Sequence, residues 1–208
     1  MSILTELASA NERKDEELNM TLAKKIASKN DGAAIKELVL NLLNKNKEIQ
    51  SDCIKVLYEA GYLKKDLIAP YYEVFMESLS SRNNRLVWGA MTALGCIADV
   101  KADQIGKRVN EVMQATENGS VITQDWGIRV LATISAKNQT QSENIYSFLV
   151  SFLKKCPARD IPRHAESILI AVNPGNRGAF LRVLKDRHRE LKPSQAKRVE
   201  KIMKTLPA

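Results

Sequence analysis

Sliding the sequence along itself by 37 residues superimposes four short stretches, starting at Cys53, Ala90, Gly127 and His164. Three and four positions on come Val56 and Leu57, Ala93 and Leu94, Val130 and Leu131, Ser167 and Ile168. Seven positions on come Ala60, Ile97, Ile134 and Ala171. The spacing inside each stretch is that of one helix face, and the spacing between stretches is that of a repeated helical hairpin. A single hairpin cannot bury such a face. Stacking neighbours does, so this pattern specifies a helical array.

Each 37-residue unit reads as two helices. Asp31 caps a helix carrying Ile35, Leu38, Val39, Leu42 and Leu43, and after a turn at Asn46 a second helix carries Ile49, Cys53, Val56, Leu57 and Ala60. Asp66 is the expected cap of the next first helix, with Leu67, Ile68, Tyr72, Phe75, Met76 and Leu79 on its stripe. QIGKRVNEVMQAT reads as one helix in the third unit, and ENIYSFLVSFLKK opens the fourth. The last pair spans about 179–190 and 194–206, with Pro193 favouring a helix start. The expectation is one domain over 1–208. It has a capping helix at 15–29, repeats at 31–64, 66–101, 103–138 and 141–173, and a basic capping repeat at 178–206. Nine glycines and six prolines are too few for the turns of a β-rich chain.

The A-x-x-A-L-x-x-I spacing around Ala90 to Ile97 resembles HEAT and armadillo-type repeats, over about residues 15–206. Pro70 resembles the proline that bends the first helix of many HEAT units. The resemblance implies an all-α fold, a right-handed α-α superhelix of about five helix pairs, whose second helices line a concave partner-binding face. One column departs from the pattern. Where many HEAT repeats carry an inter-repeat Arg, this chain has Gln50, Val87, Gln124 and Ile161.

At about 100° per residue, positions 0, +3, +4 and +7 form the core face, and −2, +2, +5 and +9 point away. The outward columns are Ser51, Trp88, Asp125 and Pro162; Lys55, Thr92, Arg129 and Glu166; Tyr58, Gly95, Ala132 and Leu169; and Tyr62, Asp99, Ala136 and Asn173. Trp126 sits on their flank. Lys55, Tyr58, Tyr62, Trp88, Asp125, Trp126 and Arg129 are therefore the candidate partner-binding residues, because exposed aromatic and Arg clusters make interface hot spots. The alternative is that Trp88 and Trp126 seal neighbouring repeats.

Charge is uneven. Residues 154–208 hold 14 Lys and Arg against 5 Asp and Glu, and the remainder holds 18 against 19. Arg177, Arg182, Lys185, Arg189, Lys197, Lys201 and Lys204 are candidates to bind phosphate or an acidic partner, set against the simpler role of a solvated cap.

No chemistry-bearing constellation stands out. His164 and His188 are lone, so no metal site is expected. NPGNRG lacks the Gly-Lys-Ser/Thr ending of a phosphate loop. Cys156 lies near Lys154, Lys155 and Arg159, a field that lowers thiol pKa values, yet with no general base it reads as an ordinary thiol. Three cysteines without C-x-x-C spacing, no secretory signal and no apolar run of about 18 residues point to a cytoplasmic chain with no membrane span. The leading expectation is a non-enzymatic scaffold binding a protein or peptide on its concave face, with no cofactor. The second is nucleic-acid binding: HEAT-like alkylpurine DNA glycosylases use Trp, Asp and Arg on that face. Trp88, Asp125, Trp126, Arg129 and Arg163 resemble that set in residue type only.

Overall fold

In the computed structural model the described residues are 2–12 and 16–206; they form twelve α-helices and no strand. They fall into two compact units, Met1–Lys101 with Gly119–Trp126, and Ala102–Asn118 with Gly127–Ala208.

The first unit opens with 3₁₀ turns at Ile3–Glu6 and Ser9–Asn11, followed by α1 (Glu17–Lys29), α2 (Gly32–Leu40), α3 (Lys47–Leu63), α4 (Tyr72–Ser78) and α5 (Asn84–Ile97). The caps are those the sequence supplies. Asp31 accepts from the Ala34 N–H (2.9 Å), Asn46 from Glu48 (2.8 Å) and Asn83 from Arg85 (3.1 Å), each satisfying a donor the helix start leaves open. Asp66 does not act this way. The stretch expected to form one helix from Asp66 instead makes 3₁₀ turns at Lys65–Leu67 and Ala69–Tyr71 before α4, and no side chain caps the first of them. Pro70 is the reason, since it has no N–H to give and its ring excludes the carbonyl four residues back.

The second unit holds α6 (Ala102–Gly106), α7 (Val109–Asn118), most of α8 (Val121–Lys137), α9 (Gln139–Lys155), α10 (Ile161–Ile168), α11 (Arg177–Arg187) and α12 (Pro193–Lys204). QIGKRVNEVMQAT is not continuous. It breaks after Gly106, where the Arg108 N–H turns to the Ile105 carbonyl (2.9 Å) in a tighter 3₁₀ turn. Pro193 stands at the start of α12 as expected.

The periodic columns are the core. Cys53, Ala90, Val56, Ala93, Val130, Leu57, Leu94, Leu131, Ile168, Ala60, Ile97 and Ile134 have no more than 1 % of their surface exposed, and His164 is equally covered. Ser167 is the departure: half-buried, it donates to the Arg163 carbonyl (3.1 Å). Gly127 holds its place because a β-carbon there would sit 2.0 Å from Thr116 Oγ1, so the Thr116 side chain of α7 packs directly on the backbone of α8.

Amides replace the missing Arg column in the first unit. Asn19 Nδ2 donates to Asp52 (2.7 Å), linking α1 to α3, and Asn83 Nδ2 donates to Gln50 Oε1 (2.9 Å), linking α3 to the start of α5. Asp52 also accepts from the Ser9 N–H (2.7 Å), which fastens the N-terminal turns to α3.

Candidate functional site

The first unit gathers four aromatic rings into one row. Trp88 on α5 lies 5.8 Å from Tyr58 on α3, Tyr58 lies 5.7 Å edge-on from Tyr62, and Tyr62 lies 5.9 Å from Trp126. These are the offset and edge-to-face separations that ring quadrupoles favour. The helical i, i+4 relation puts Tyr58 and Tyr62 on one side of α3. Trp126 reaches the row across Gly95: a β-carbon at that glycine would meet the indole Cε3 at 2.4 Å.

A charged cluster closes the Trp88 end. Lys55 Nζ stands 5.0 Å from the Tyr58 ring centre and 2.9 Å from both Glu16 and Glu59, and Glu16 also pairs with Arg85 at 3.2 Å. The Lys55 stem is covered while its head is neutralised twice. Near the other end, Lys65 pairs with Asp99.

The outward columns are more covered than helical angles alone suggest. Lys55 retains 9 % exposure, Tyr58 5 % and Thr92 1 %, and Ala132 and Pro162 are buried too, against the expectation that they face away from the core. The cause in the first unit is flanking. α3 packs against α1 on one side and α5 on the other, which leaves only a narrow strip free. The +9 column supplies that strip: Tyr62 is 49 % exposed, and Asp99 is exposed as well. Trp88, Asp125 and Trp126 are half-buried. Both tryptophans are thus partly covered and partly open to solvent. Arg129 is exposed but belongs to the second unit, as does Arg163, which pairs with Asp160 (2.8 Å). Of the glycosylase-like set, Trp88, Asp125 and Trp126 share a unit and the two arginines are in the other.

Sequence reasoning missed Glu16, which orders the cluster yet lies outside every periodic column. Its only sequence signal was its place at the start of the capping helix expected over 15–29.

Burial pulls the Lys55 ammonium down, but hydrogen bonds to Tyr58, Glu16 and Glu59 outweigh it and hold its pKa above the ordinary lysine value. Burial raises the Tyr58 phenol, against the opposing pull of Lys55. Both groups thus keep their protons in the folded state at a pH where the unfolded chain releases them. Their contribution is whole below about pH 10 and is lost as pH rises beyond it. The melting temperature is expected to fall as pH rises above about 10, and Lys55→Met with Tyr58→Phe to flatten that limb. An unchanged slope in melts of the double variant would contradict this assignment.

The other residues weighed for chemistry are His164, His188 and Cys156. His164 stands edge-on to Phe152 at 5.5 Å, and His188 Nε2 meets Glu200 at 3.1 Å. Cys156 is buried beneath Arg187, and burial pushes its thiol up to about 11 although Arg187 pulls the other way. Among the described residues no group of three or more His, Cys, Asp or Glu lies close enough to hold a metal ion, and no helix is long and apolar enough to cross a membrane.

No protein-family model matches the sequence, and a search of curated proteins returns no significant match. Solved structures do resemble it. A designed armadillo repeat protein in complex with the peptide (KR)4 superimposes with a TM-score of 0.69 at 14 % identity, covering 99 % of this chain and 100 % of that one. A computationally designed armadillo repeat protein for modular peptide recognition gives 0.67 at 15 % identity, with 98 % of each chain covered. A further engineered protein gives 0.63 at 19 % identity, again covering 98 % of each. The chain has the armadillo/HEAT-like helical-repeat fold.

Proposed function

We propose that this chain is a non-enzymatic repeat scaffold that binds a peptide segment of a partner protein along the Trp88–Tyr58–Tyr62–Trp126 row. The observation that carries this reading is the row itself, with four rings in unbroken sequence and half of Tyr62 open to solvent. Rings held by packing lose little freedom on binding, and they are the residue types that dominate interface energies. Their faces suit Arg, Lys or apolar side chains of an extended peptide. The (KR)4 complex of a similar fold supports the same class of ligand.

The chain's two tryptophans are both in the row, so intrinsic fluorescence reads the site directly. Titration with a (KR)4 peptide, and with an array of unrelated sequences, is expected to give a saturable change for at least one peptide. Tyr62→Ala is expected to weaken that binding by about 2 kcal/mol, or roughly thirtyfold, as loss of a hot-spot residue does. Wild-type affinity in Tyr62→Ala, or no response to any peptide, counts against the proposal.

A further inference from the structure

The cationic excess of the second unit is arranged, not merely present. In α12 the buried residues Val199 and Ile202 define the inner face. At about 100° per residue, Lys197, Lys201 and Lys204 fall together on the opposite side. The ridge is held in that orientation from both flanks: Arg198 bonds Glu166 on α10 (2.6 Å), and Glu200 bonds His188 after α11 (3.1 Å). The same construction recurs in α11. Phe180, Val183 and Leu184 face inward, Arg182 and Lys185 share the outer side, and Arg189 is exposed in the 3₁₀ turn His188–Glu190 that follows. Arg187 turns in to donate to the carbonyls of Leu153 (3.0 Å) and Cys156 (2.6 Å).

The acidic side chains of this segment are already committed. Asp160 pairs with Arg163, Glu166 with Arg198, Glu190 with Arg187 and Glu200 with His188, which leaves Asp186. Among the described residues none of Arg182, Lys185, Arg189, Lys197, Lys201 and Lys204 is in an ion pair, and all six are exposed. Four of these five carboxylates fix the helices; the six ridge cations form no ion pair, although Glu190 feels the charge of Arg189 and exposed Asp186 lies beside Lys185.

From this we propose that the outer faces of α11 and α12 bind the phosphate backbone of double-stranded nucleic acid. The cations of one ridge recur every three to four residues, about 4.5–6 Å along the axis. A duplex offers about one negative charge per 1.7 Å of its length, dense enough to engage every member of such a ridge. Between Val172 and Leu206 there is no Trp or Tyr, the one Phe, Phe180, is fully buried, and His188 is engaged with Glu200, so the surface has little platform for stacking unpaired bases. Neither ridge carries an apolar residue to enter a bilayer.

The test uses the full chain and a labelled random-sequence 20-base-pair DNA duplex, followed by fluorescence anisotropy at several salt concentrations. Six phosphate contacts predict a log–log salt slope of about −5 and roughly a thousandfold weakening between 50 and 200 mM salt. Replacing Lys197, Lys201 and Lys204 together by Glu is expected to lower affinity at least tenfold and to cut the slope by about half. Reversing three exposed cations of the first unit, Lys24, Lys29 and Lys36, makes the same charge change and is expected to leave the slope unaltered. Circular dichroism confirms that each variant is folded. The proposal is overturned if the duplex does not bind, if both triple variants behave alike, or if a single strand, polyglutamate or phosphatidylserine vesicles bind more tightly than the duplex. The aromatic row is untouched by these substitutions, so peptide binding stands or falls separately.

Discussion

Phe75→Ala is expected to destabilise the first unit by about 3–5 kcal/mol, the range for truncating a large buried aromatic. Phe75 is fully buried and lies on α4, a helix of seven residues that packs against α5. So short a helix has almost no intrinsic stability, and its place depends on the apolar face it buries. The ring supplies much of that face, with Met76 as its neighbour. Relaxation is limited on both sides, because Pro70 fixes the approach to α4 and Asn83 caps α5 through hydrogen bonds that do not move with the cavity. For a chain of this length the melting temperature is expected to drop on the order of 10 °C. Thermal unfolding followed by circular dichroism measures it, with Phe75→Leu as the companion that restores most of the volume. A loss below about 1 kcal/mol would mean that α4 is not a fixed part of the unit.

What could be read from sequence follows from how local the governing interaction is. The core columns were legible because a helix presents the same face every three or four residues whatever surrounds it; Leu57, Leu94, Leu131 and Ile168 are all fully covered. The reverse faces were not. Whether Tyr58 is open depends on Trp88, thirty residues on, and the environment of Lys55 depends on Glu16, thirty-nine residues back. Neither relation has a period. Breaks in helices divide in the same way. Pro70 carries its own steric reason and was visible as a bend, whereas the turn after Gly106 could not be told from an ordinary glycine within a helix. Residue type and approximate register located Tyr62 and Trp126. Their contact needed Gly95 as well, whose role was hidden because it consists of an absence.

That absence makes Gly95→Val the substitution with the largest expected effect on the candidate site. Gly95 lies in the interior of α5, where glycine costs about 1 kcal/mol relative to alanine, so replacing it would ordinarily strengthen the helix. Here a β-carbon would lie 2.4 Å from Trp126 Cε3 and 2.7 Å from Cζ3, and valine adds two methyl groups beyond it. The indole is a rigid ring tilted 33° against Tyr62, so it cannot yield by rotating a flexible end. It must leave the row. The expected result is a net loss of about 1–3 kcal/mol in stability from overpacking, a red shift in tryptophan emission as Trp126 meets water, and peptide affinity reduced at least as far as in Tyr62→Ala. Pairing Gly95→Val with Trp126→Ala distinguishes the causes. Removing the indole relieves the clash, so the double variant is expected to recover stability while remaining unable to bind. If Gly95→Val alone binds peptide normally, Trp126 is a seal between helices and the recognition surface ends at Tyr62.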